Sequence, residues 1–197
     1  MSILISRRIF VSKTGTATLS AAAVALLAGC QSMAGTGSAK KTAASGDTGQ
    51  DAAILNTALG LEHEAIGAYQ LGAESGLLSG GVLKTAVLFQ GHHKQHRDAL
   101  AGAVAKLGGT PVESEPLAAY AELLEADKLA NQTDVVRLAA KLEKAATNAY
   151  LGVIPAFADP GIAQVAARLA ADETMHWTVL ASALGEPLPQ KALTFGA

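Results

Sequence analysis

One stretch of this chain occurs twice. Leu61-Glu62-His63-Glu64-Ala65-Ile66-Gly67-Ala68-Tyr69 returns 81 residues later as Leu142-Glu143-Lys144-Ala145-Ala146-Thr147-Asn148-Ala149-Tyr150, with five of nine positions identical. Downstream of each copy, His93-Lys94-Gln95-His96 returns 80 residues later as Glu173-Thr174-Met175-His176. Between these landmarks, apolar residues recur at three- and four-residue spacing, so the repeated unit is a helical hairpin. Such a hairpin buries its apolar stripe against its own copy, which confines the chain to a helical bundle. The repeat also aligns carboxylates and histidines between the two halves, and so indicates where chemistry would sit.

Composition supports the helical reading. Half of the 197 residues are hydrophobic and only 4% are aromatic. That mixture favours close-packed helices with small contact residues over a β-sandwich, which draws on Val, Ile, Tyr and Thr. Charge is uneven. Residues 1–50 hold five basic side chains (Arg7, Arg8, Lys13, Lys40, Lys41) and one acid (Asp47), leaving ten basic and sixteen acidic residues for the remainder. A mildly acidic domain without a basic stripe argues against nucleic acid as a partner. Cys30 is the single cysteine, which excludes a disulfide framework and a cysteine-based metal cluster.

Residues 1–29 read as an export signal. Ser6-Arg7-Arg8-Ile9-Phe10-Val11-Ser12-Lys13 resembles the twin-arginine translocation motif, an address read by a receptor. The apolar run Leu19 to Leu27 is too short for a retained membrane span. It ends in Leu27-Ala28-Gly29-Cys30, which resembles a bacterial lipobox. That resemblance implies cleavage before Cys30 and acylation of its thiol and new amino group. An ordinary secretory signal with a chance cysteine is the alternative. Residues 30–50, mostly Ser, Gly, Thr, Ala and Lys, read as a flexible tether. Gln31 after the cysteine favours the periplasmic face of the outer membrane in a two-membrane bacterium, with secretion as the other outcome.

Residues 51–187 then spell a bundle, followed by a tail over 188–197. The periodicity predicts a first helix over about 51–74, with Ile54, Ala58, Leu61, Glu62, Ala65 and Tyr69 inward. Ser79-Gly80-Gly81 is the expected turn. A second helix over about 82–107 turns Ala86, Phe89, His93, His96, Leu100, Val104 and Leu107 inward. A connection over 112–131, with a short helix in 117–130, leads to Asn131 as N-cap of a third helix. That helix faces Val135, Leu138, Leu142, Glu143, Ala146 and Tyr150 inward until Pro155 kinks or ends it. Asp159-Pro160 starts a fourth helix that runs to about Leu184, where Gly185 and two prolines stop it. The fold class is therefore all-α: a four-helix bundle of two antiparallel hairpins joined by a long crossover.

Measured from the expected turns, Glu62, His93, His96, Glu143, Glu173 and His176 lie within about one helical turn of a common height, and an i, i+3 pair shares one helix face. Two accounts fit such a layer. The six side chains are ligands of a metal, or they pair among themselves as buried polar groups. Burying three carboxylates and three imidazoles without a cation costs several kcal/mol unless each is matched.

At this point a family resemblance emerges. Glu on the first helix, a His-containing pair on the second, Glu on the third and Glu-x-x-His on the fourth resemble the ferritin-like superfamily of carboxylate-bridged di-metal proteins. His96-Arg97-Asp98-Ala99-Leu100 and Glu62-His63-Glu64-Ala65 are similar to its secreted bacterial members of unknown function. The resemblance implies Glu62 and Glu143 as terminal ligands, His96 and His176 as imidazole ligands and Glu173 as a bridging carboxylate. It implies iron first, with manganese or zinc as alternatives. His93 stands where the family has its second bridging Glu. An imidazole does not bridge as a carboxylate does, so a single metal or an unequal pair fits this set as well as a symmetric pair.

The neighbours are assigned more ordinary roles. Tyr69 and Tyr150 are core tyrosines hydrogen-bonded within the bundle, with support of the site as the functional alternative. Glu64, about 200° from Glu62 round the helix, is expected in solvent. His63 and His92 are expected to be exposed, His92 substituting as a ligand only in a shifted register. Trp177 and Phe89 are packing residues. The function implied is an envelope-anchored metal protein, either a small oxidoreductase or a handler of metal or peroxide. A non-catalytic scaffold with a degenerate site is the competing class, and an iron-storage cage a third. The partners expected are a membrane, through the lipid anchor, and further copies of the chain if the bundle forms a homo-oligomer.

Overall fold

In the computed structural model, residues 48–196 are described. Arg7, Arg8 and Cys30, with the export and lipidation expectations they carry, lie outside these residues. The described chain is helical: α1 Thr48–Glu74, α2 Gly80–Lys106, α3 Leu117–Leu123, α4 Gln132–Val153 and α5 Pro160–Ala183, with 3-10 turns at Ala126–Lys128 and Ile154–Ala156. Local chemistry accounts for the boundaries. The Asn131 side chain accepts from the Asp134 amide and starts α4. Asp159 accepts from the Gly161 amide, with Pro160 in the first turn of α5. Gly185 takes a positive φ beyond the last turn of α5. Pro155 ends α4 in a 3-10 turn instead of kinking it.

Two apolar clusters fix the direction of each helix. One gathers Tyr69, Leu78, Phe89, Val135, Val136, Trp177 and Leu180, among others. The other gathers Leu55, Leu59, Leu100, Val104, Tyr150, Ala166 and Leu169. Along α1 and α5 the chain passes from the second cluster to the first, and along α2 and α4 it passes back. The two hairpin turns therefore lie at opposite ends of the bundle, and residues 107–131 travel its length to connect α2 with α4. Equal distance from a turn places the six polar residues in one layer only because each lies near the middle of its helix.

The first turn differs from expectation. It spans 75–79, and Gly80 and Gly81 belong to the start of α2. Gly76 adopts φ +72°, a left-handed conformation that relieves the reversal there. The inward face of α1 also differs, with Leu55 and Leu59 buried while Ile54 and Leu61 are half-buried. Leu61 and Ala65 instead line a cavity of 260 Å³ with Leu138, Leu142 and Ala146 of α4. The helices within each hairpin pack closely, whereas α1 and α4 meet more sparingly and leave this space between the hairpins.

The crossover covers a second face of α1. At Gly67, a Cβ would lie 2.6 Å from the Tyr120 ring, so only glycine lets α3 approach this closely. The Asn56 amide donates to the Thr110 carbonyl, and its oxygen accepts from the Val112 amide. His63 Nε2 lies 3.1 Å from the Val112 carbonyl. His63 is thus half-buried, and Glu64 is buried at 5% exposure, both contrary to expectation. Helical periodicity gives α1 one buried face, and the crossover covers another. Among the described residues, no helix is long and apolar enough to cross a membrane.

Candidate metal centre

The six layer residues converge. Glu62, His93, Glu143, Glu173 and His176 are at most 2% exposed and His96 is 6% exposed. They form two groups, Glu62/His93/His96/Glu173 and His93/Glu143/Glu173/His176, with one ligand atom per residue and all atoms of a group within 4.8 Å of each other. The two groups share His93 and Glu173.

The contacts show how the sharing works. On one side, His93 Nδ1 lies 2.8 Å from Glu62 Oε2, and His96 Nδ1 lies 3.0 Å from Glu173 Oε1 and 3.5 Å from Glu62 Oε2. On the other, His93 Nε2 lies 3.2 Å from Glu143 Oε1. His176 Nδ1 there lies 3.5 Å from Glu143 Oε2 and 3.4 Å from Glu173 Oε2. Ligands about 2.0–2.1 Å from a tetrahedral cation stand about 3.4 Å from each other, close to these separations. Five buried atoms, His96 Nδ1, Glu143 Oε2, both Glu173 oxygens and His176 Nδ1, have no hydrogen bond. They approach closely enough to share a cation without being angled to share a proton. Orphaned polar atoms are costly in a core, and a cation at each of the two groups would satisfy all five. The residues present therefore fit a bound metal.

Tyrosines close the layer from both sides. Tyr69 donates to Glu143, and Tyr150 donates to Glu62. Each repeat's tyrosine thus holds the other repeat's glutamate. Outside the two terminal histidines sit residues related by the same 80-residue offset. His96 Nε2 lies 3.2 Å from Asp172 Oδ2, and His176 Nε2 lies 2.9 Å from His92 Nδ1. Both histidines therefore turn Nδ1 inward and are held from behind through Nε2, as outer partners commonly orient metal-bound imidazoles. His92 is half-buried and stacks on His176 at 5.2 Å, so it is a partner of a layer residue and not an exposed side chain. Asp172 lies off the inward face of α5, and its 80-residue offset from His92 is the sequence signal that marks it. Phe89 stacks on His176 at 4.0 Å, and Trp177 packs against Phe195, both within the apolar core around Tyr69.

Electrostatics follow from this crowding. Burial pushes the Glu62 carboxyl up, but His93 and His96 outweigh it and hold Glu62 at about 2. Burial pushes His96 down, and the Glu173 and Glu62 carboxylates overcome it, raising His96 to about 10. Burial and then the neighbouring Glu143 raise Glu173 to about 7. His93, between Glu62 and Glu143, is raised well above its ordinary value despite burial. Its two ring nitrogens face two carboxylates, Nδ1 toward Glu62 and Nε2 toward Glu143. The 260 Å³ cavity reaches His93, Glu143 and Tyr69 from between α1, α4 and the crossover.

No curated protein sequence matches the chain. Among solved structures, a conserved hypothetical protein from Mycobacterium tuberculosis is similar, with 21% identity, a TM-score of 0.60, and 74% of this chain and 97% of that chain covered; that likeness is one of fold. The family model described as the ferritin-like domain matches residues 50–186. That span contains both hairpins and all six layer residues, and the chain belongs to the ferritin-like domain family.

Proposed function

We propose that this chain is an envelope-anchored ferritin-like protein whose bundle core binds metal through Glu62, His93, His96, Glu143, Glu173 and His176. Its role in this reading is that of a small oxidoreductase or a handler of metal or peroxide. The observation that carries the metal reading is the set of five buried polar atoms without hydrogen bonds, all turned to the same two positions. Iron or manganese held there supplies redox chemistry, and zinc supplies Lewis acidity. The chain's own residues do the rest. Tyr69 and Tyr150 hold the terminal carboxylates in place, Asp172 and His92 orient the two terminal imidazoles, and the apolar clusters at either end keep bulk water out of the layer. The cavity beside Glu143 favours a substrate no larger than a small molecule. Envelope anchoring rests on the lipobox-like Leu27-Ala28-Gly29-Cys30.

The rival scaffold reading has one observation in its favour: His93 already joins Glu62 and Glu143 by hydrogen bonds of 2.8 and 3.2 Å. Elemental analysis of protein purified from its native compartment separates the two readings. Stoichiometric iron, manganese or zinc is expected, and it should fall in Glu62→Ala, His96→Ala, Glu143→Ala and His176→Ala. Bound metal stabilises the native state by mass action, about 2.7 kcal/mol at roughly 100 times Kd. These variants should therefore lose Tm mainly in the metal-loaded form. A scaffold would hold no stoichiometric metal, and each truncation would destabilise equally with or without added metal.

A further inference from the structure

We propose that His93 is a bridging ligand, its imidazole joining two metal ions across the ring while Glu173 joins them across its carboxylate. This deepens the metal-binding reading above and rests on it. The comparison of the two shared residues carries the inference. Glu173 turns Oε1 toward His96 and Oε2 toward His176. His93 turns Nδ1 toward Glu62 and Nε2 toward Glu143. Each shared residue thus presents one donor atom to each group, and no rotation of either side chain is needed. The His93 ring is about equally far from the two terminal imidazoles, 5.6 Å from the His96 ring and 5.3 Å from the His176 ring.

The ring is also held in that orientation. Glu62 and Glu143 grip its two nitrogens from α1 and α4, and each carboxylate is fixed in turn by a tyrosine. Tyr69 lies against the ring face at 5.3 Å. A ring held at both nitrogens by carboxylate oxygens aims one nitrogen at each of the two groups. On loading, two metal–nitrogen bonds form, each nitrogen–hydrogen bond on the ring breaks, and its proton leaves to solvent. No oxidant or reductant is involved. A histidine in place of a second bridging carboxylate therefore need not reduce the site to one metal. It changes the bridge instead. Carboxylate-bridged pairs stand about 3.5–4 Å apart, and bonding through opposite edges of an imidazole sets the ions further apart. The nitrogen-richer donor set also favours metals that accept imidazole readily, such as copper and zinc beside iron.

Copper(II) is a suitable probe, because electron paramagnetic resonance reports both its amount and its coupling. Full-length protein is stripped of metal and titrated with one and then two equivalents. The expected result is binding of both, with the integrated signal per copper falling severalfold at the second, as the ions couple through the ring. In His93→Ala, where Glu173 alone joins the ions, two bound coppers should recover part of the lost signal. Full signal from two coppers in the parent protein would overturn the bridge, and so would coupling that is unchanged in His93→Ala. Saturation at one copper would also overturn it while leaving the metal-binding reading intact. Failure to bind any copper, iron, manganese or zinc would remove both. If His93→Ala does not fold, Glu173→Gln decides: coupling should persist through the ring, and its loss would overturn the bridge.

Discussion

Tyr150 on α4 donates its hydroxyl to the Glu62 carboxylate on α1, across the interface between the two hairpins. Tyr69 and Glu143 make the reciprocal bond. Each half of the duplicated sequence therefore holds the other half's glutamate, and the polar layer forms only once the hairpins have docked. Both phenol groups are pushed well above their ordinary pKa by burial and by the carboxylates they contact, so both stay protonated donors at neutral pH.

The first prediction follows from this exchange. Tyr150→Phe and Tyr69→Phe each remove one charge-assisted hydrogen bond without opening a large void. Each should cost about 1.5–3 kcal/mol in metal-free protein, measured by denaturant unfolding. Metal affinity should fall on the order of tenfold to a hundredfold, as it does when an outer partner of a ligand is lost. An unchanged affinity in both variants would mean that the tyrosines serve packing alone.

The six layer residues were legible because a helix has a short period and the repeat doubles the signal. Glu62 and Glu143 announce each other, as do His96 and His176. The directions of the helices were not legible in the same way. Distances from a turn place groups in one layer whether the turns lie together or at opposite ends, provided the groups sit mid-helix. Glu64 and His63 were assigned to solvent because periodicity within α1 contains no information about what the crossover covers. Gly67 was the local clue, a glycine within a helix that lets Tyr120 lie against the backbone. Asp51 is a further case. It is buried at 2% exposure and accepts from the Ala158 and Asp159 amides, tying the start of α1 to the turn before α5. Nothing in its immediate sequence distinguishes it from an ordinary acid in a first helical turn.

The second prediction concerns the unequal outer partners. Asp172 behind His96 is an anion and strengthens that imidazole as a donor, whereas His92 behind His176 supplies only a neutral acceptor. His92→Asp installs at one position what the 80-residue offset already supplies at the other. Calorimetric titration with zinc should show two unequal sites in the parent protein. The weaker should tighten on the order of tenfold in His92→Asp. Asp172→Ala should weaken the tighter one. Identical titration curves for parent and His92→Asp would refute an orienting role for His92.

The third prediction concerns targeting, motivated by the lipobox-like Leu27-Ala28-Gly29-Cys30 and the paired Arg7 and Arg8. Cys30→Ser should leave the precursor unprocessed or release the protein from the membrane fraction. Fractionation that finds the variant processed and membrane-bound as before would rule out lipid attachment at Cys30. Arg7→Lys combined with Arg8→Lys should block export by the twin-arginine route, whereas normal export would assign the chain to the general secretory route.

The last prediction concerns pH, and its sign comes from three of the layer groups in metal-free protein. Glu173, raised from 4.5 to about 7 by burial and then by Glu143, contributes stability fully present below about 4.5. That contribution is lost as pH rises through about 7. His96, raised from 6.5 to about 10 against the effect of burial, contributes stability present below about 6.5 and lost as pH rises toward 10. Glu62, held at about 2 despite burial, contributes stability present above about 4.5 and lost as pH falls toward 2. Metal-free protein should therefore melt highest near pH 4.5 and progressively lower on the alkaline side. Metal needs the same groups without their protons, so its binding strengthens in the direction in which the metal-free layer weakens. The Tm difference between zinc-loaded and chelator-treated protein should grow steadily from about pH 5 to about pH 8. Thermal melts across that range with and without chelator decide the matter. A difference that stays flat, or shrinks as pH rises, would mean that protons and metal do not compete for this layer.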